Sequence, residues 1–383
     1  MSESGRPARV VIAPDKFKGS LTATGVADAL AAGMQDVVPA LETIKLPIAD
    51  GGDGTVAAAL SAGFDKILVD TVGPTGEPVQ APYALKGDRA VVELAAVVGL
   101  TMLPGGQLEP LKSSTYGLGL VIADAIRRGA KTIVIGLGGS ASTDGGAGMV
   151  QALGVRLLDA DGNDLPHGGG VLEDLARLDL AGLRDAVGGT SIIVASDVDN
   201  PLLGPGGAAA VFGPQKGAAP HQVETLERGL RHWTQLVSQA TGRNDSDGAG
   251  AGAAGGTGYA AVALLNAEIR PGIELILDMI DFDQRIIGAD LVVTGEGSLD
   301  EQSLAGKAPI GVAQAAARAE VAVVAVAGRV RLSQERLNRA GISAAYALSD
   351  LEPDAHRSMA MAGALLRRVG AQIANERLAS RTR

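Results

Sequence analysis

Four loops in the sequence combine acidic residues with glycines, and each follows a short aliphatic run. They are residues 49–55 (ADGGDGT), 136–148 (GLGGSASTDGGAG), 195–201 (ASDVDNP) and 294–307 (TGEGSLDEQSLAGK). Backbone N–H groups of glycine loops bind phosphate, whereas carboxylates alone repel it. A Mg²⁺ ion held by one or two carboxylates and by phosphate oxygens removes that conflict. With Lys16, Lys18, Lys216 and Lys307 as further positive charge, the loops predict Mg²⁺-dependent phosphoryl transfer.

Other nucleotide-binding patterns are present but unspecific. Residues 106–113 approach a P-loop, with Leu111 where the second glycine belongs. Residues 136–141 (GLGGSA) satisfy the dinucleotide pattern after a strand, but polar residues separate them from the following helix. Residues 250–255 (GAGAAG) follow a polar loop, and composition favours a flexible linker over 244–258. An Asp before paired glycines can also be a simple turn or helix cap, so each loop keeps that structural alternative.

The elements that position these loops alternate between strands and helices. Aliphatic runs without strict alternation predict buried parallel strands at residues 10–13, 44–48, 132–135, 192–195, 291–293 and 321–327. Capping residues and helical periodicity predict helices at 22–34, 114–128, 144–154, 220–240, 309–319 and 354–378. Such alternation predicts an α/β protein, whose ligands bind at the carboxyl ends of the strands.

One region departs from this alternation. Residues 73–93 (GPTGEPVQAPYALKGDRAVVE) have the turn residues and short strands of antiparallel hairpins. We therefore expect a second domain inserted after the first two βα units, with the C-terminal units returning to the first domain.

Composition excludes several function classes. The net charge is −10 with no basic cluster, which argues against nucleic-acid binding. The chain has no Cys, so disulfides and thiolate chemistry are excluded. The longest apolar run, residues 321–327, is too short to span a bilayer, and residues 1–9 have no apolar signal region. We expect a soluble, cytoplasmic protein without nucleic-acid or membrane partners.

Seven segments resemble the type I bacterial glycerate kinases. They run in family order across nearly the whole chain: 13–21 (APDKFKGSL), 49–55, 136–154, 196–204 (SDVDNPLLG), 212–218 (FGPQKGA), 250–259 and 294–313. Where this chain has Asp53 and Gly19, family members usually have Glu. The shorter Asp53 keeps a carboxylate, whereas Gly19 loses one.

The resemblance implies a fold, a reaction and cofactors. The implied fold is a flavodoxin-like parallel-sheet domain from both chain ends (residues 1–75 and 285–383), with an α/β domain (76–284) inserted in the middle. The implied activity is ATP-dependent, Mg²⁺-assisted phosphorylation of glycerate in a cleft between the domains, usually giving 2-phosphoglycerate. The chain would act as a monomer or homodimer.

Residue chemistry suggests roles for the candidate residues. Those expected in catalysis are the acceptor-side base Asp197, the alternative base Asp50, and the charge-neutralising Lys216 and Lys307. Those expected to bind substrate are Asp15, Lys16, Lys18, Asn200 and Arg329. Those expected to bind phosphate are Gly51, Gly52, Gly138, Gly139, Ser140, Gly145, Gly295 and Gly297. Those expected to bind Mg²⁺ are Asp53, Asp144, Glu296 and Asp300.

Three alternative functions stay open at this point. An NAD(P)-dependent hydroxy-acid dehydrogenase could use the GLGGSA loop. A glycerate 3-kinase would differ only in the hydroxyl that it phosphorylates. A non-enzymatic sugar-acid binding protein is disfavoured by the many loop carboxylates and lysines.

Overall fold

The computed structural model of the protein describes residues 6–378, apart from the side chain of Ala305. Its strands are β1 (Arg9–Pro14), β2 (Glu42–Lys45), β3 (Asp65–Val72), β4 (Pro78–Lys86), β5 (Arg89–Glu93), β6 (Thr132–Gly136), β7 (Arg156–Leu158), β8 (Arg177–Asp179), β9 (Ser191–Ala195), β10 (Glu268–Arg270), β11 (Leu291–Leu299), β12 (Val323–Val330) and β13 (Ala344–Ala347).

The helices lie mostly between the strands, as the α/β class requires. They are α1 (Ala23–Val37), α2 (Thr55–Ser61), α3 (Ala95–Val98), α4 (Tyr116–Arg127), α5 (Ala147–Ala152), α6 (Ala181–Val187), α7 (Ala208–Phe212), α8 (Pro220–Thr241), α9 (Ala253–Leu265), α10 (Gly272–Met279), α11 (Phe282–Arg285), α12 (Ala308–Arg318), α13 (Gln334–Arg339), α14 (Ala355–Ala360) and α15 (Ala362–Arg377). The predicted α/β class is confirmed. The helix predicted over 354–378 is two helices that meet at Met361.

The chain divides into two compact units, with boundaries after Asp50 and after Gly272. These boundaries differ from the predicted domain limits. Residues 51–75 belong to the middle unit because β3 pairs along its whole length with β4. Residues 273–284 belong to the unit formed by the two chain ends, where Ile273 packs closely against Gly311 of α12.

The unit formed by the chain ends has a five-stranded sheet in the order β13-β12-β11-β1-β2. All its neighbouring strands are parallel. Counted along the chain within this unit, the order is 2-1-3-4-5, which is the flavodoxin-like order. Helices α1 and α15 pack together on this sheet, and a Cβ on Gly33 would lie 1.8 Å from the carbonyl oxygen of Arg367. The two chain ends are therefore held by direct helix contact.

The middle unit has a six-stranded sheet in the order β10-β9-β6-β5-β4-β3. Strands β10, β9, β6 and β5 are parallel, and β4 and β3 continue the sheet as antiparallel strands. The predicted hairpin character of residues 73–93 is therefore present. The carboxyl ends of β6 and β9 lie side by side, because Gly136 pairs with Ala195. This register places two of the acid-and-glycine loops next to each other.

The glycine-rich segment 244–258 is not a flexible linker, contrary to the prediction from composition. Most of residues 250–258 are buried, and α9 begins at Ala253. A Cβ on Gly255 would lie 2.1 Å from the carbonyl oxygen of Ser142, and one on Gly256 would lie 2.8 Å from the Cα of Gly145. The glycines are required because this segment packs directly against the 136–148 loop.

Candidate active site

The loop after β6 combines exposed glycines with a buried anchor. Gly139 is exposed and has φ +64°, a conformation that favours glycine, and Gly138 is half-buried. Ser140 is buried, and its hydroxyl accepts a hydrogen bond from Nζ of Lys216 at 2.8 Å. The structure thus brings together Gly138, Gly139, Ser140 and Lys216, which the sequence analysis predicted as phosphate-binding and catalytic residues.

Lys216 lies at the end of a short 3₁₀ turn, Pro214–Lys216, and is only 3% exposed. Besides Ser140, its ammonium donates to the carbonyl oxygen of Ser142 at 2.5 Å. Burial lowers the pKa of Lys216 to about 7, and the charge of Asp144 opposes that shift. In this structure the ammonium holds the loop through its bonds to Ser140 and Ser142.

Asp144 is fully buried and its carboxylate is saturated by the protein. Oδ2 accepts from the hydroxyls of Ser114 and Thr115 (3.2 and 2.8 Å) and from the amides of Thr115 and Gly148 (2.8 and 3.2 Å). Oδ1 accepts from the amide of Gly146 at 3.2 Å. These five bonds tie the loop to the starts of α4 and α5, and they argue against the predicted Mg²⁺-binding role of Asp144.

The backbone of Gly145 also serves the interior and not a ligand. Its N–H donates to the carbonyl oxygen of Gly255 at 3.0 Å, and its own carbonyl accepts from Nε1 of Trp233 at 3.1 Å. A Cβ at this position would lie 2.8 Å from the Trp233 ring, so only glycine fits. Both backbone polar groups of Gly145 are engaged within the protein, so the predicted phosphate contact of its amide would have to replace the bond to Gly255.

The 49–55 segment reaches the same sheet edge from the start of the middle unit. Gly51 has φ +87°, and a Cβ there would lie 2.5 Å from the Cα of Gly272 and 3.1 Å from the Cβ of Ala195. A Cβ on Gly138 would lie 2.9 Å from the Cα of Gly52. Residues 51 and 52 of the middle unit therefore pack closely against Gly138, against Gly272 and against Ala195 at the end of β9. Asp53 is exposed beside them.

Asp197 and Asn200 follow β9. Asp197 is exposed, and its Oδ1 accepts from the amide of Gly272 at 3.0 Å. This bond orients the carboxylate at the sheet edge. The side-chain amide of Asn200 donates to the carbonyl oxygen of Gly206 at 2.8 Å. Asn200 therefore stabilises its own turn, and its predicted substrate contact would have to compete with that bond.

In the unit formed by the chain ends, two predicted phosphate residues lie within a strand. Gly295 and Gly297 belong to β11, which continues to Leu299 and pairs with β12 beyond them. The carbonyl of Gly295 accepts from the amide of Asp15 at 2.8 Å, and a Cβ there would lie 2.3 Å from the carbonyl oxygen of Val326. Gly295 and Gly297, predicted to lie in a phosphate-binding loop, thus lie in an extended strand. Glycine is required at position 295 because the neighbouring strand β12 leaves no space for a side chain.

Three carboxylates gather around the carboxyl end of β1. Burial and the charge of Asp50 raise the pKa of Asp15 to about 7, with Glu296 contributing. Burial likewise raises the pKa of Glu296, while Lys307 opposes that shift. Glu296 is only 8% exposed, and its Oε1 is buried without a hydrogen-bond partner. The β1–β11 pair is the switch point of the sheet, where ligands of open α/β sheets bind.

The remaining candidates of this unit surround that cluster or its strand. Oδ1 of Asp300 accepts from the amide of Gln302 at 3.0 Å, so this predicted Mg²⁺ ligand stabilises a turn. Lys307 precedes α12, and Lys16 donates its backbone amide to Oδ1 of Asp15 at 2.6 Å. Lys18 and Arg329 are exposed, and Arg329 pairs with Ser298 in the β11–β12 ladder.

Among residues 6–378, no group of three or more His, Cys, Asp or Glu residues is placed to hold a metal ion. Likewise, none of the described helices has the length and apolar composition to cross a bilayer.

Comparison with known proteins decides the family. The model of the Glycerate kinase family matches residues 10–378. The chain belongs to the glycerate kinase family. It is 44% identical to a glycerate kinase of Bacillus subtilis (strain 168) over 89% of this chain and 90% of the relative. It is 42% identical to the glycerate 2-kinase of Escherichia coli (strain K12), with the same coverage. A crystal structure assigned to glycerate kinase 2 of Salmonella typhimurium LT2 superposes with a TM-score of 0.83 at 42% identity, covering 97% of this chain and 98% of that one.

Membership in the glycerate kinase family confirms the predicted resemblance and the reaction class. The chain is a phosphotransferase, and a kinase family implies ATP as the phosphate donor. The dehydrogenase alternative is not favoured by these matches.

The sequence analysis missed two residues that anchor the loop 136–148 through Asp144. Ser114 and Thr115 are buried and supply three of the five bonds to Asp144. Their signal in the sequence is a run of small hydroxyl residues just before α4, a pattern typical of a helix start. Here that pattern serves a distant carboxylate, which no local rule would reveal.

Proposed function

We propose that this protein transfers the γ-phosphoryl group of ATP to glycerate and forms 2-phosphoglycerate. The observation that carries the proposal is the family match across residues 10–378. The relative named glycerate 2-kinase, 42% identical over 89% of this chain, supports the 2-hydroxyl as acceptor. An ATP-dependent reaction on a small acid also fits a cytoplasmic location.

Phosphoryl transfer requires a rigid phosphate cradle, neutralised charge and an oriented acceptor. In the proposed mechanism the backbone of the half-buried Gly138 and the exposed Gly139 binds phosphate oxygens, with Gly52 packed beside Gly138. Lys216 fixes that cradle by its bonds to Ser140 and Ser142. The protein forms no covalent bond to the transferred group in such a reaction, so catalysis depends mainly on rigid positioning and on charge stabilisation.

Asp197 is the proposed base that orients the acceptor hydroxyl and takes its proton. It is exposed at the end of β9, and its bond to the Gly272 amide fixes one oxygen while leaving the carboxylate open to solvent. Asp50 is the alternative base. Lys16, Lys18 and Arg329 are proposed to attract the carboxylate of glycerate, and Lys307 to neutralise transferred charge.

Among the candidate Mg²⁺ ligands, we favour Glu296. Its Oε1 is a buried carboxylate oxygen without a hydrogen-bond partner, and carboxylate oxygens are the ligands that Mg²⁺ prefers. Asp50, whose charge adds to the effect of burial in raising the pKa of Glu296, would be a second ligand. Asp53 stays a separate candidate. When bound, Mg²⁺ would neutralise negative charge on the phosphates.

An assay of the purified chain with ATP, Mg²⁺ and D- or L-glycerate tests this function. ADP formation that depends on glycerate, with ³¹P and ¹H NMR of the product, separates the 2-phosphate from the 3-phosphate. Glycerate-dependent reduction of NAD⁺ or NADP⁺ without ADP formation would instead support a dehydrogenase.

The role of Asp197 is tested by Asp197→Asn. Asparagine can still accept from the Gly272 amide but cannot take a proton, so we expect kcat to fall by roughly 10²–10⁴-fold. The matched control is Asp199→Asn, an exposed carboxylate two residues further along the loop, which should keep wild-type turnover. Near-normal kcat for Asp197→Asn would exclude it as the base.

A further inference from the structure

Glu93 is a buried carboxylate that none of the proposed roles uses. It is the last residue of β5, pairs with Gly136 in the β5–β6 ladder, and is only 6% exposed. Its Oε2 accepts hydrogen bonds from the amides of Gly54 and Val56, both at 3.1 Å. These two amides lie at the start of α2.

The start of α2 needs such a partner. The first amides of a helix have no acceptor within the helix, and its N-terminus attracts anions. Gly54 is the N-terminal capping residue, has φ +104°, and has no side chain with which to cap. Glu93 supplies the missing acceptor from the neighbouring strand. The amides of Gly54 and Val56 are therefore engaged by the protein's own carboxylate.

The segment held by Glu93 contacts the proposed phosphate cradle directly. A Cβ on Gly136 would lie 2.8 Å from the carbonyl oxygen of Gly51 and 3.0 Å from Oγ1 of Thr55. A Cβ on Gly138 would lie 2.9 Å from the Cα of Gly52. Because these backbones are in contact without intervening side chains, a shift of residues 51–56 must move the 136–138 backbone as well.

We propose that Glu93 is a positioning residue for nucleotide binding: its carboxylate fixes residues 51–56, and through them the phosphate-binding backbone at Gly138 and Gly139. The inference rests on the proposed function. Glu93 itself need not touch ATP or glycerate, because its Oε2 is occupied by two amides and the side chain is buried. Its effect therefore falls on the KM for ATP and on kcat through geometry.

The test compares Glu93→Ala with Glu93→Gln in the full chain. A glutamine side-chain oxygen can accept from both amides without the charge, whereas alanine leaves both without an acceptor. The matched control is Asp179→Ala. Oδ1 of Asp179 accepts from the amide of Ala181 at 3.0 Å, at the start of α6, which like α2 has seven residues in the same unit. This control removes a carboxylate cap away from the proposed site.

Two measurements are made on each variant: hydrogen exchange of the amides of Gly54 and Val56, and steady-state kinetics with ATP and glycerate. For Glu93→Ala we expect faster exchange at both amides and kcat/KM for ATP lowered by about 10–100-fold, since small misplacements cost this much. Glu93→Gln should retain most of the protection and lose less than about 10-fold. Asp179→Ala should change neither quantity.

Several results would overturn the inference. Unchanged exchange at Gly54 and Val56 in Glu93→Ala would refute the anchor, and lost protection with wild-type kinetics would refute its role in nucleotide binding. Equal activity losses in Glu93→Gln and Glu93→Ala, with intact protection in the glutamine variant, would make Glu93 a directly acting charge. If Glu93→Ala does not fold, exchange and kinetics of Glu93→Gln decide. A wild-type chain without ATP-dependent activity would refute the proposed function, whereas the exchange data would still test the anchor.

Discussion

A substitution of Asp144 is the sharpest test of how the loop 136–148, the proposed phosphate loop, is anchored. The substitution Asp144→Asn keeps the size of the side chain but replaces one oxygen by an NH₂ group. Four of the five hydrogen bonds converge on Oδ2, so the amide oxygen of asparagine should take that place. The NH₂ group then faces the amide of Gly146, which is a donor opposite a donor.

The expected cost follows from these bonds. Losing the Gly146 bond in a buried site costs about 1–3 kcal/mol, because an unsatisfied donor remains. Each of the four remaining bonds loses its charge assistance, at roughly 0.5–1 kcal/mol per bond. The lower desolvation cost of a neutral side chain offsets part of this sum. We therefore expect Asp144→Asn to lower the free energy of unfolding by about 2–4 kcal/mol, a large part of the 5–15 kcal/mol typical of a domain.

The single tryptophan provides the assay. Trp233 is fully buried in the middle unit, and its Nε1 donates to the carbonyl of Gly145, the residue next to Asp144. Its fluorescence therefore reports unfolding of this unit in a urea titration. The control is Asp164→Asn, which removes an exposed ion pair with Arg156 and should cost less than about 1 kcal/mol. Equal midpoints for Asp144→Asn and wild type would refute the assignment of Asp144 as a structural anchor, and a Mg²⁺ role would then regain support.

Two further predictions concern burial in the two units. Since burial and the charge of Asp50 raise the pKa of Asp15 from 3.8 to about 7, the folded chain binds a proton between these values that the unfolded chain has released. Stability should fall as pH rises through that window, so Asp15→Asn should raise Tm more at pH 8 than at pH 5 by calorimetry; equal shifts would contradict the raised pKa. Gly148→Ala should lower the free energy of unfolding, measured by Trp233 fluorescence in a urea titration, by at least about 2 kcal/mol, because a Cβ there would lie 2.1 Å from Oγ of Ser114 and 2.6 Å from the Tyr116 amide. Gly206→Ala, where a Cβ meets no atom within 4 Å, is its control and should be neutral.

Local patterns were sufficient where local physics determines the structure. Thr22 caps α1 as predicted, with its hydroxyl accepting from the amide of Gly25, and the aliphatic runs at β6 and β9 became parallel strands. Sequence patterns gave the wrong local structure where a glycine is required by close packing against a neighbouring backbone. Gly295 was expected in a loop because Thr-Gly-Glu-Gly resembles a turn, yet the ladder with β12 continues through it. A short sequence cannot show that a neighbouring carbonyl, here of Val326, leaves no space for a side chain.

For the carboxylates too, the sequence alone does not separate structural from functional residues. Asp144 and Asp197 both follow strands in glycine-containing loops, and residue type alone gave both a chemical role. Burial separates them: Asp144 has no exposed surface and accepts five hydrogen bonds, whereas Asp197 is exposed and accepts a hydrogen bond from the Gly272 amide. Glu93 has no adjacent glycine in the sequence and was not predicted as a site residue, although its carboxylate accepts hydrogen bonds from the amides of Gly54 and Val56. A loop whose own glycines have no side chains must be fixed by acceptors from elsewhere in the chain. In this protein the buried carboxylates of Glu93 and Asp144 supply such acceptors, so the acids that fix the proposed phosphate cradle differ from the acids proposed to act in it.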